Sequence, residues 1–95
     1  MGSREGSVET YLRLALLRLG AYQRKFVSPG TRGVFDRIVG YKGSVFFIEI
    51  KSLDGKLSTK QEREKKKLDD QNLNWFVLYS IKDVDSFIRI LKCIV

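Results

Sequence analysis

The chain has 95 residues, of which 43% are hydrophobic, and its 18 Lys and Arg against 11 Asp and Glu leave a formal net charge of +7. This length predicts one core and excludes a second domain of ordinary size. No apolar run is long enough for a membrane span or a secretory signal, so we expect a soluble globular protein. The charge surplus favours a polyanionic partner, nucleic acid first, although many small basic proteins bind nothing specific.

Cys93 is the single cysteine, and the chain contains no histidine. One cysteine excludes an internal disulfide framework, and the lack of histidine removes the usual zinc sites and every histidine-based catalytic triad. Any chemistry must therefore use carboxylates, lysines and hard metal ions. Residues 1–6 are interpreted as a disordered N-terminus or the remnant of an expression tag, and residues 7–95 as one domain.

The first predicted element is a helix from Ser7, its N-cap, to Leu19, because apolar residues recur there at helical spacing. Leu14 and Leu17 point away from its apolar face, which a monomer core does not explain. A short strand is predicted at 22–27. The segment 28–33 that follows is interpreted as a loop, because it contains the only proline and two glycines.

The rest of the chain is predicted to form a β-hairpin, a polar helix, a strand and an amphipathic helix, giving the order αβββαβα. The predicted ranges are 36–41, 44–51, 58–72, 74–80 and 84–94. Lys42-Gly43 suits the hairpin turn. Ser58 is placed to cap the polar helix, with Gln61 or Glu62 completing a capping box. Asp83 or Asp85 is expected to open the last helix.

The pattern that points most directly to chemistry is Glu49-Ile50-Lys51, with Asp36 on the preceding strand. Residues two apart on a strand share a face at roughly 6–7 Å, so Glu49 and Lys51 can address one point. The hairpin should bring Asp36 opposite this end. Two such carboxylates, with the carbonyl of Ile50, form an oxygen-only ligand set that selects Mg²⁺ or Mn²⁺. Lys51 beside the metal could orient a water and stabilise a phosphoryl transition state.

A Glu-x-Lys triplet on a strand is also typical of a solvent-facing stripe. The expected burial of the strand distinguishes a functional site from a solvent-facing stripe. The opposite face of strand 44–51 is wholly apolar, and Val45 and Phe47 precede the charges on their own face, so both faces are expected to be covered. Charged side chains at the end of a doubly covered strand favour a functional site.

Cationic side chains cluster in two places that could contact the phosphates of nucleic acid. One group falls on a narrow stripe of the polar helix: Lys56, Lys60, Arg63 and Lys67. The other group surrounds Asp36: Lys25, Arg32 and Arg37. The stripe on the polar helix equally fits a solvated face whose charges are partly paired with neighbouring acids. No motif for reading bases is present, so recognition of backbone and shape is expected.

Four separated blocks resemble the virus-type replication-repair nuclease (VRR-NUC) family of the PD-(D/E)XK superfamily. The first helix carries a glutamate, Glu9, and the later blocks read KFVSPGTRGVFDR at 25–37, FIEIK at 47–51 and GKLSTKQ at 55–61. Family members typically read K-x-x-S-P-G-x-x-G-x-P-D-R, F-x-E-x-K and G-x-L-S-x-x-Q. One departure is Phe35 in place of proline, from which we expect the site to be kept with a looser approach of the chain to Asp36. The resemblance implies a restriction-endonuclease-like α/β core, a central mixed four-stranded sheet flanked by helices.

The resemblance also implies roles for single residues. Asp36 and Glu49 correspond to the metal ligands, Lys51 to the catalytic lysine, Glu9 to the helix-borne acid and Gln61 to the glutamine of the next helix. An exposed glutamate and a core-edge glutamine are the alternatives for the last two.

A protein of this kind is expected to be an Mg²⁺- or Mn²⁺-dependent DNA endonuclease, structure-selective in the manner of a Holliday junction resolvase. It is expected to be phage-encoded, to act as a homodimer in DNA replication or repair in the host cytoplasm, and to need no membrane or further cofactor. One alternative is a non-catalytic nucleic-acid-binding module that keeps the nuclease fold. A small basic structural protein is a third possibility.

Overall fold

A computed structural model describes residues 4–26 and 35–95 of the chain. The element order is αβββαβα, as predicted. In chain order the elements are α1 (Arg4–Leu19), β1 (Tyr22–Lys25), β2 (Arg37–Tyr41), β3 (Ser44–Ile50), α2 (Thr59–Asp70), β4 (Asn74–Leu78) and α3 (Ile81–Lys92). Within the described ranges, no helix combines the length and the apolar character that a membrane crossing requires.

The four strands form one mixed sheet in the order β1-β2-β3-β4, which confirms the predicted sheet. β1, β2 and β3 pair antiparallel, and β4 pairs parallel with β3. Lys42 and Gly43 have φ angles of 47° and 84°, so both turn residues adopt the left-handed conformation that a tight hairpin turn requires. The hairpin sets the register, and Arg37 lies opposite Ile48.

One face of the sheet packs against α1 and α3 to form the core. Period-two alternation brings Phe46, Ile48 and Ile50 of β3 to this face, and all three are buried. They meet buried side chains of the two helices and of the neighbouring strands: Val8, Leu12, Leu16, Val39, Leu78, Val84, Phe87 and Leu91. Tyr11 of α1 also donates a hydrogen bond to Asp85 of α3 over 2.7 Å. The core therefore fixes β3 from one side.

The second face of the sheet is only partly covered. α2 packs against β4 at one end of this face, and an aromatic cluster covers the middle. At the far end Tyr22 and Val45 are 57% and 46% exposed. The expectation that Val45 is covered is therefore wrong, because α2 lies over β4 and not over the hairpin.

Several predicted boundaries need correction. α1 begins at Arg4, so Ser7 is inside the helix and is not its N-cap. α3 begins at Ile81 with Ser80 as its N-cap, and the Ser80 side chain accepts a hydrogen bond from the backbone nitrogen of Asp83. Asp83 thus completes this cap instead of opening the helix. β1 ends at Lys25, and the predicted loop 28–33 lies outside the described residues.

Candidate active site

Asp36 lies immediately before β2 and beside the end of β3. Its backbone nitrogen donates to the carbonyl of Ile48 over 2.9 Å, which continues the β2–β3 ladder. Its Oδ2 accepts a hydrogen bond of 2.8 Å from the backbone nitrogen of Ile50. Because Arg37 pairs with Ile48, Asp36 occupies the position opposite Glu49. The predicted approach of these two acids is confirmed.

Glu49 is a buried carboxylate, with 3% of its surface exposed. Its Oε2 accepts a hydrogen bond of 2.7 Å from Nε2 of Gln61, and Nζ of Lys51 lies 3.5 Å from the same oxygen. Burial, followed by the charge of Asp36, raises the pKa of the Glu49 carboxyl to about 7, although Lys51 and the Gln61 hydrogen bond act in the opposite direction. This position is therefore electrostatically costly for an anion.

Gln61 is held by the capping box of α2. Of the two residues predicted to complete that box, Gln61 and Glu62, it is Gln61 that does so. Its backbone nitrogen donates to the Ser58 hydroxyl over 3.1 Å, and its Oε1 accepts from the backbone nitrogen of Ser58 over 3.0 Å. The side-chain amide is therefore fixed at both ends, with Nε2 left to face Glu49. Lys51, whose side chain is 22% exposed, is positioned by the bond from its backbone nitrogen to the carbonyl of Leu78.

Glu9 lies in an ion pair with a buried arginine. Its Oε2 is 3.4 Å from Nη2 of Arg37, and the two side chains are 34% and 7% exposed. Nη1 of Arg37 also donates to Oε1 of Gln23 over 3.1 Å. By strand alternation Arg37 shares the face of Val39, which α1 covers, whereas Glu49 projects toward α2. The structure thus gives Glu9 a charged partner on the other face of the sheet.

The predicted phosphate contacts fall into three groups. Lys25 is exposed at the end of β1, and Lys60, Arg63 and Lys67 are exposed along α2. Lys56 is exposed too, but it lies before α2 begins, so the prediction that it belongs to the helical stripe is wrong. Arg37 is 6% exposed and already paired, so its prediction as a phosphate contact is wrong. Arg32 lies outside the described residues.

The two aspartates of α2 pair with lysines outside the stripe. Asp69 binds Lys65 at 2.7 Å and Asp70 binds Lys66 at 3.2 Å. In the ranges that the structure describes, no ion pair includes Lys56 or the three cations of the stripe, Lys60, Arg63 and Lys67. Their charges are therefore available to an anionic partner, which argues against a face of internally paired charges.

The acid pair offers a ligand set for a divalent cation. Across residues 6–26 and 35–95, no three His, Cys, Asp or Glu side chains form a metal-binding cluster. Oε1 of Glu49 is nevertheless buried and accepts no hydrogen bond from the described part of the chain. A buried carboxylate oxygen without a donor, opposite a second carboxylate, has the chemistry that suits a hard cation.

Phe35 is a supporting residue that sequence reasoning underestimated. It replaces a proline of the motif, and a looser approach to Asp36 was expected from that change. Instead Phe35 is buried, and its ring centroid lies 4.5 Å from those of Phe26 and Phe47 and 6.4 Å from that of Trp75. Side-chain packing thus anchors the entry to β2 where proline would restrict the backbone. In the sequence, the replacement of proline by an aromatic residue was the feature that could have indicated this packing role of Phe35.

Comparison with known proteins finds a similar phage protein and a similar solved structure. Protein p44 of Acyrthosiphon pisum secondary endosymbiont phage 1, whose name describes it as a candidate nuclease, is 41% identical over 66 residues, 68% of this chain and 71% of p44. A solved structure described as a VRR_NUC domain superposes with a TM-score of 0.85 at 31% identity, covering 93% of this chain and 97% of that one. No protein-family model matches the chain.

The fold, the paired acids with their lysine, and these similarities define the protein as a nuclease with a restriction-endonuclease-like core. The chain belongs to the virus-type replication-repair nuclease family, VRR-NUC.

Proposed function

We propose that the protein is a divalent-metal-dependent DNA endonuclease that hydrolyses phosphodiester bonds at the end of β3. The observation that carries this proposal is the burial of Glu49 together with its incomplete hydrogen bonding. It is 3% exposed, opposite Asp36, and its Oε1 accepts no hydrogen bond from the described residues, whereas Oε2 is held by Gln61 and Lys51. A cation would relieve the repulsion between the two acids and satisfy the remaining oxygen.

The residues that would hold the ion are Asp36, Glu49 and the backbone carbonyl of Ile50. All three supply oxygen, and the described residues include no histidine or buried thiol beside them, so Mg²⁺ or Mn²⁺ is the expected ion. When bound, such an ion lowers the pKa of a coordinated water and stabilises negative charge on the phosphate.

Lys51 is the proposed catalytic lysine. Its Nζ lies 3.5 Å from Oε2 of Glu49, and its side chain is partly open to solvent. An ammonium in this position can donate to an attacking water and to a phosphate oxygen while Glu49 holds it in place. Gln61 is the proposed positioning residue of Glu49. Glu9 acts through Arg37, which adjoins Asp36 in the chain, and we assign it a positioning part as well.

DNA is proposed to lie along the stripe of α2, beside Lys56 in the segment before that helix and beside Lys25. Lys60, Arg63 and Lys67 are exposed and without ion pairs within the described ranges, so each can contact a phosphate. Lys25 pairs with Arg37, the residue after Asp36, so its side chain lies at the sheet edge beside the acid pair but projects to the other face. Contacts of this kind position the backbone and carry no base sequence.

We extend the proposal to structure-selective cleavage of branched DNA, such as a four-way junction, by a homodimer. Leu14, Leu17, Ile90 and Val95 are exposed apolar side chains that a second copy could bury, and a two-fold dimer suits a symmetric junction. The p44 relative is a phage protein, so we place the activity in phage DNA replication or repair within the host cytoplasm. A monomeric mass by light scattering, with and without junction DNA, would contradict the dimer.

The cleavage test uses a supercoiled plasmid, a linear duplex and a four-way junction in Mg²⁺, Mn²⁺ or EDTA. Wild type should cut with either ion and not in EDTA, whereas Asp36→Asn and Lys51→Ala should not cut. Lys82→Ala, which removes an exposed lysine of α3, is the matched charge control and should cut like wild type. Cleavage in EDTA or by Asp36→Asn would exclude the mechanism. Metal-independent binding without any cleavage would instead indicate a non-catalytic binding module.

A further inference from the structure

Tyr22 and Arg24 of the edge strand β1 lie on the sheet face that carries the acid pair. Tyr22 pairs with Gly40 and Arg24 with Ile38. Side chains alternate along β2, so Gly40, Ile38 and Asp36 share one face, and their partners on β1 share it too. The Tyr22 ring lies over Gly40, with its Cδ2 3.8 Å from the position that a Cβ would take there.

The two side chains form an exposed stacked pair. The guanidinium carbon of Arg24 lies 4.9 Å from the Tyr22 ring centroid, and Nη1 of Arg24 donates to the carbonyl of Gln23 over 2.7 Å, which orients the guanidinium plane. Tyr22 remains 57% exposed and Arg24 is exposed as well. An exposed aromatic ring beside a planar cation is a suitable surface for a flat, polarisable ligand.

This pair is continuous with the candidate active site. Phe26, two residues beyond Arg24, donates from its backbone nitrogen to the carbonyl of Asp36 over 2.8 Å. Successive same-face residues on a strand are roughly 7 Å apart. Along β1, Arg24 therefore lies about one such spacing from Phe26, the residue that is bonded to Asp36, and Tyr22 lies about two spacings from it. A DNA strand with its scissile phosphate at Asp36 would bring its next nucleotides over this edge.

We propose that Tyr22 and Arg24 form a stacking platform for an unpaired nucleobase of the DNA strand next to the scissile phosphate. The proposal rests on the proposed nuclease function and deepens it by naming the feature of the substrate that this surface recognises. The bases of an intact duplex are covered by their neighbours in the stack, so only an unpaired base presents a face to a ring and a guanidinium.

Charge selects this occupant over the alternatives. Arg24 and its exposed neighbour Lys25 lie together on this edge, so a second copy of the chain across a two-fold axis would oppose like charges. An acidic peptide would satisfy the cations but leave the Tyr22 ring unused. Only a strand with both phosphates and bases uses the charges and the ring together.

The experiment measures binding in EDTA, by fluorescence anisotropy, to three labelled DNAs: a single strand, the same strand with abasic nucleotides, and its fully paired duplex. Tyr22→Ala and Arg24→Ala should weaken single-strand binding by about 5- to 100-fold each. In Tyr22→Ala, binding to the abasic strand and to the duplex should change much less. Tyr22→Phe, which keeps the ring, should retain single-strand affinity.

The matched control is Lys42→Ala. Lys42 also lies over a tyrosine ring, 5.4 Å from the centroid of Tyr41. Tyr41 and Arg37 are an even number of residues apart on β2, so Tyr41 projects to the face opposite to that of Tyr22. This control should leave binding to all three DNAs unchanged. An equal loss on single-strand, abasic and duplex DNA in Tyr22→Ala would overturn the platform, as would no loss on any of them. Circular dichroism confirms that each variant is folded.

The outcome separates this proposal from the nuclease function. If wild type cuts with Mg²⁺ or Mn²⁺ but Tyr22→Ala keeps its single-strand affinity, the platform alone is wrong. If wild type cuts no DNA yet Tyr22→Ala loses single-strand selectivity, the platform stands and the cleavage chemistry is wrong. In a separate fluorescence measurement, 2-aminopurine at the unpaired position should be quenched by wild type and by Tyr22→Phe but not by Tyr22→Ala.

Discussion

Gln61 donates a hydrogen bond of 2.7 Å from its Nε2 to Oε2 of Glu49, and the two residues are only 8% and 3% exposed. The other end of the same amide accepts the backbone nitrogen of Ser58, the N-cap of α2. One side chain thus satisfies a helix terminus and orients the buried acid of the candidate site. The position of α2 and the orientation of Glu49 are thereby coupled.

Replacing Gln61 by alanine should destabilise the fold and impair cleavage together. The change leaves Oε2 of Glu49 without its amide donor and the backbone nitrogen of Ser58 without an acceptor, which costs about 1–3 kcal/mol. For a domain of this size the thermal midpoint falls by about 4–8 °C for each kcal/mol. The control is Gln71→Ala, at the exposed C-cap of the same helix. Equal midpoints for the two variants would contradict the coupling.

Glu49 should make the metal-free protein less stable as pH rises. Its folded-state pKa of about 7 lies above the ordinary value of 4.5, so the folded state binds the proton more tightly than the unfolded state does. The stability gained from this proton is fully present below pH 4.5 and is lost as pH rises through about 7, to a limit of roughly 3 kcal/mol.

Urea unfolding in EDTA across this pH range tests the sign. The difference in unfolding free energy between wild type and Glu49→Gln should fall with rising pH, because glutamine does not titrate. Glu62→Gln, at an exposed glutamate in the first turn of α2, should show no such pH-dependent difference. A difference that stays constant or grows between pH 4.5 and 8 would show that the Glu49 pKa is not raised.

The stripe on α2 should dominate the salt dependence of duplex binding. Lys60→Ala/Arg63→Ala removes two cations without ion pairs in the described ranges, so the log–log salt slope should decrease by about 1.8, near 0.9 per lost contact. Lys65→Ala/Lys66→Ala removes the same charge from the same helix, but these lysines pair with Asp69 and Asp70. Equal slopes for the two double variants would mean that only net charge matters.

Glu9→Gln should affect stability more than chemistry. The change removes the negative partner of Arg37, which is 6% exposed, and leaves a buried guanidinium charge poorly compensated, at a cost of about 1–3 kcal/mol. Cleavage by the folded variant should stay within about tenfold of wild type, a barrier change near 1.4 kcal/mol. Glu64→Gln is the control on α2. An unchanged thermal midpoint with abolished cleavage would give Glu9 a direct catalytic part.

Much of the site was predictable because its geometry is local. Alternation along β3 decided that Glu49 and Lys51 share a face, and the Lys42-Gly43 turn set the register that brings Asp36 opposite them. The resemblance placed Gln61 among the site residues, but its contact with Glu49 was not predicted, since it depends on how α2 docks.

The sequence by itself determined the element order, the hairpin and the pairing of Asp36 with Glu49, because turn chemistry and period-two alternation act over a few residues. Tertiary structure alone decided that Arg37 is buried against Glu9 and that Tyr22 is exposed on the face of Asp36. Those outcomes depend on which faces α1 and α2 cover, and helix docking is set by contacts between residues far apart in the chain.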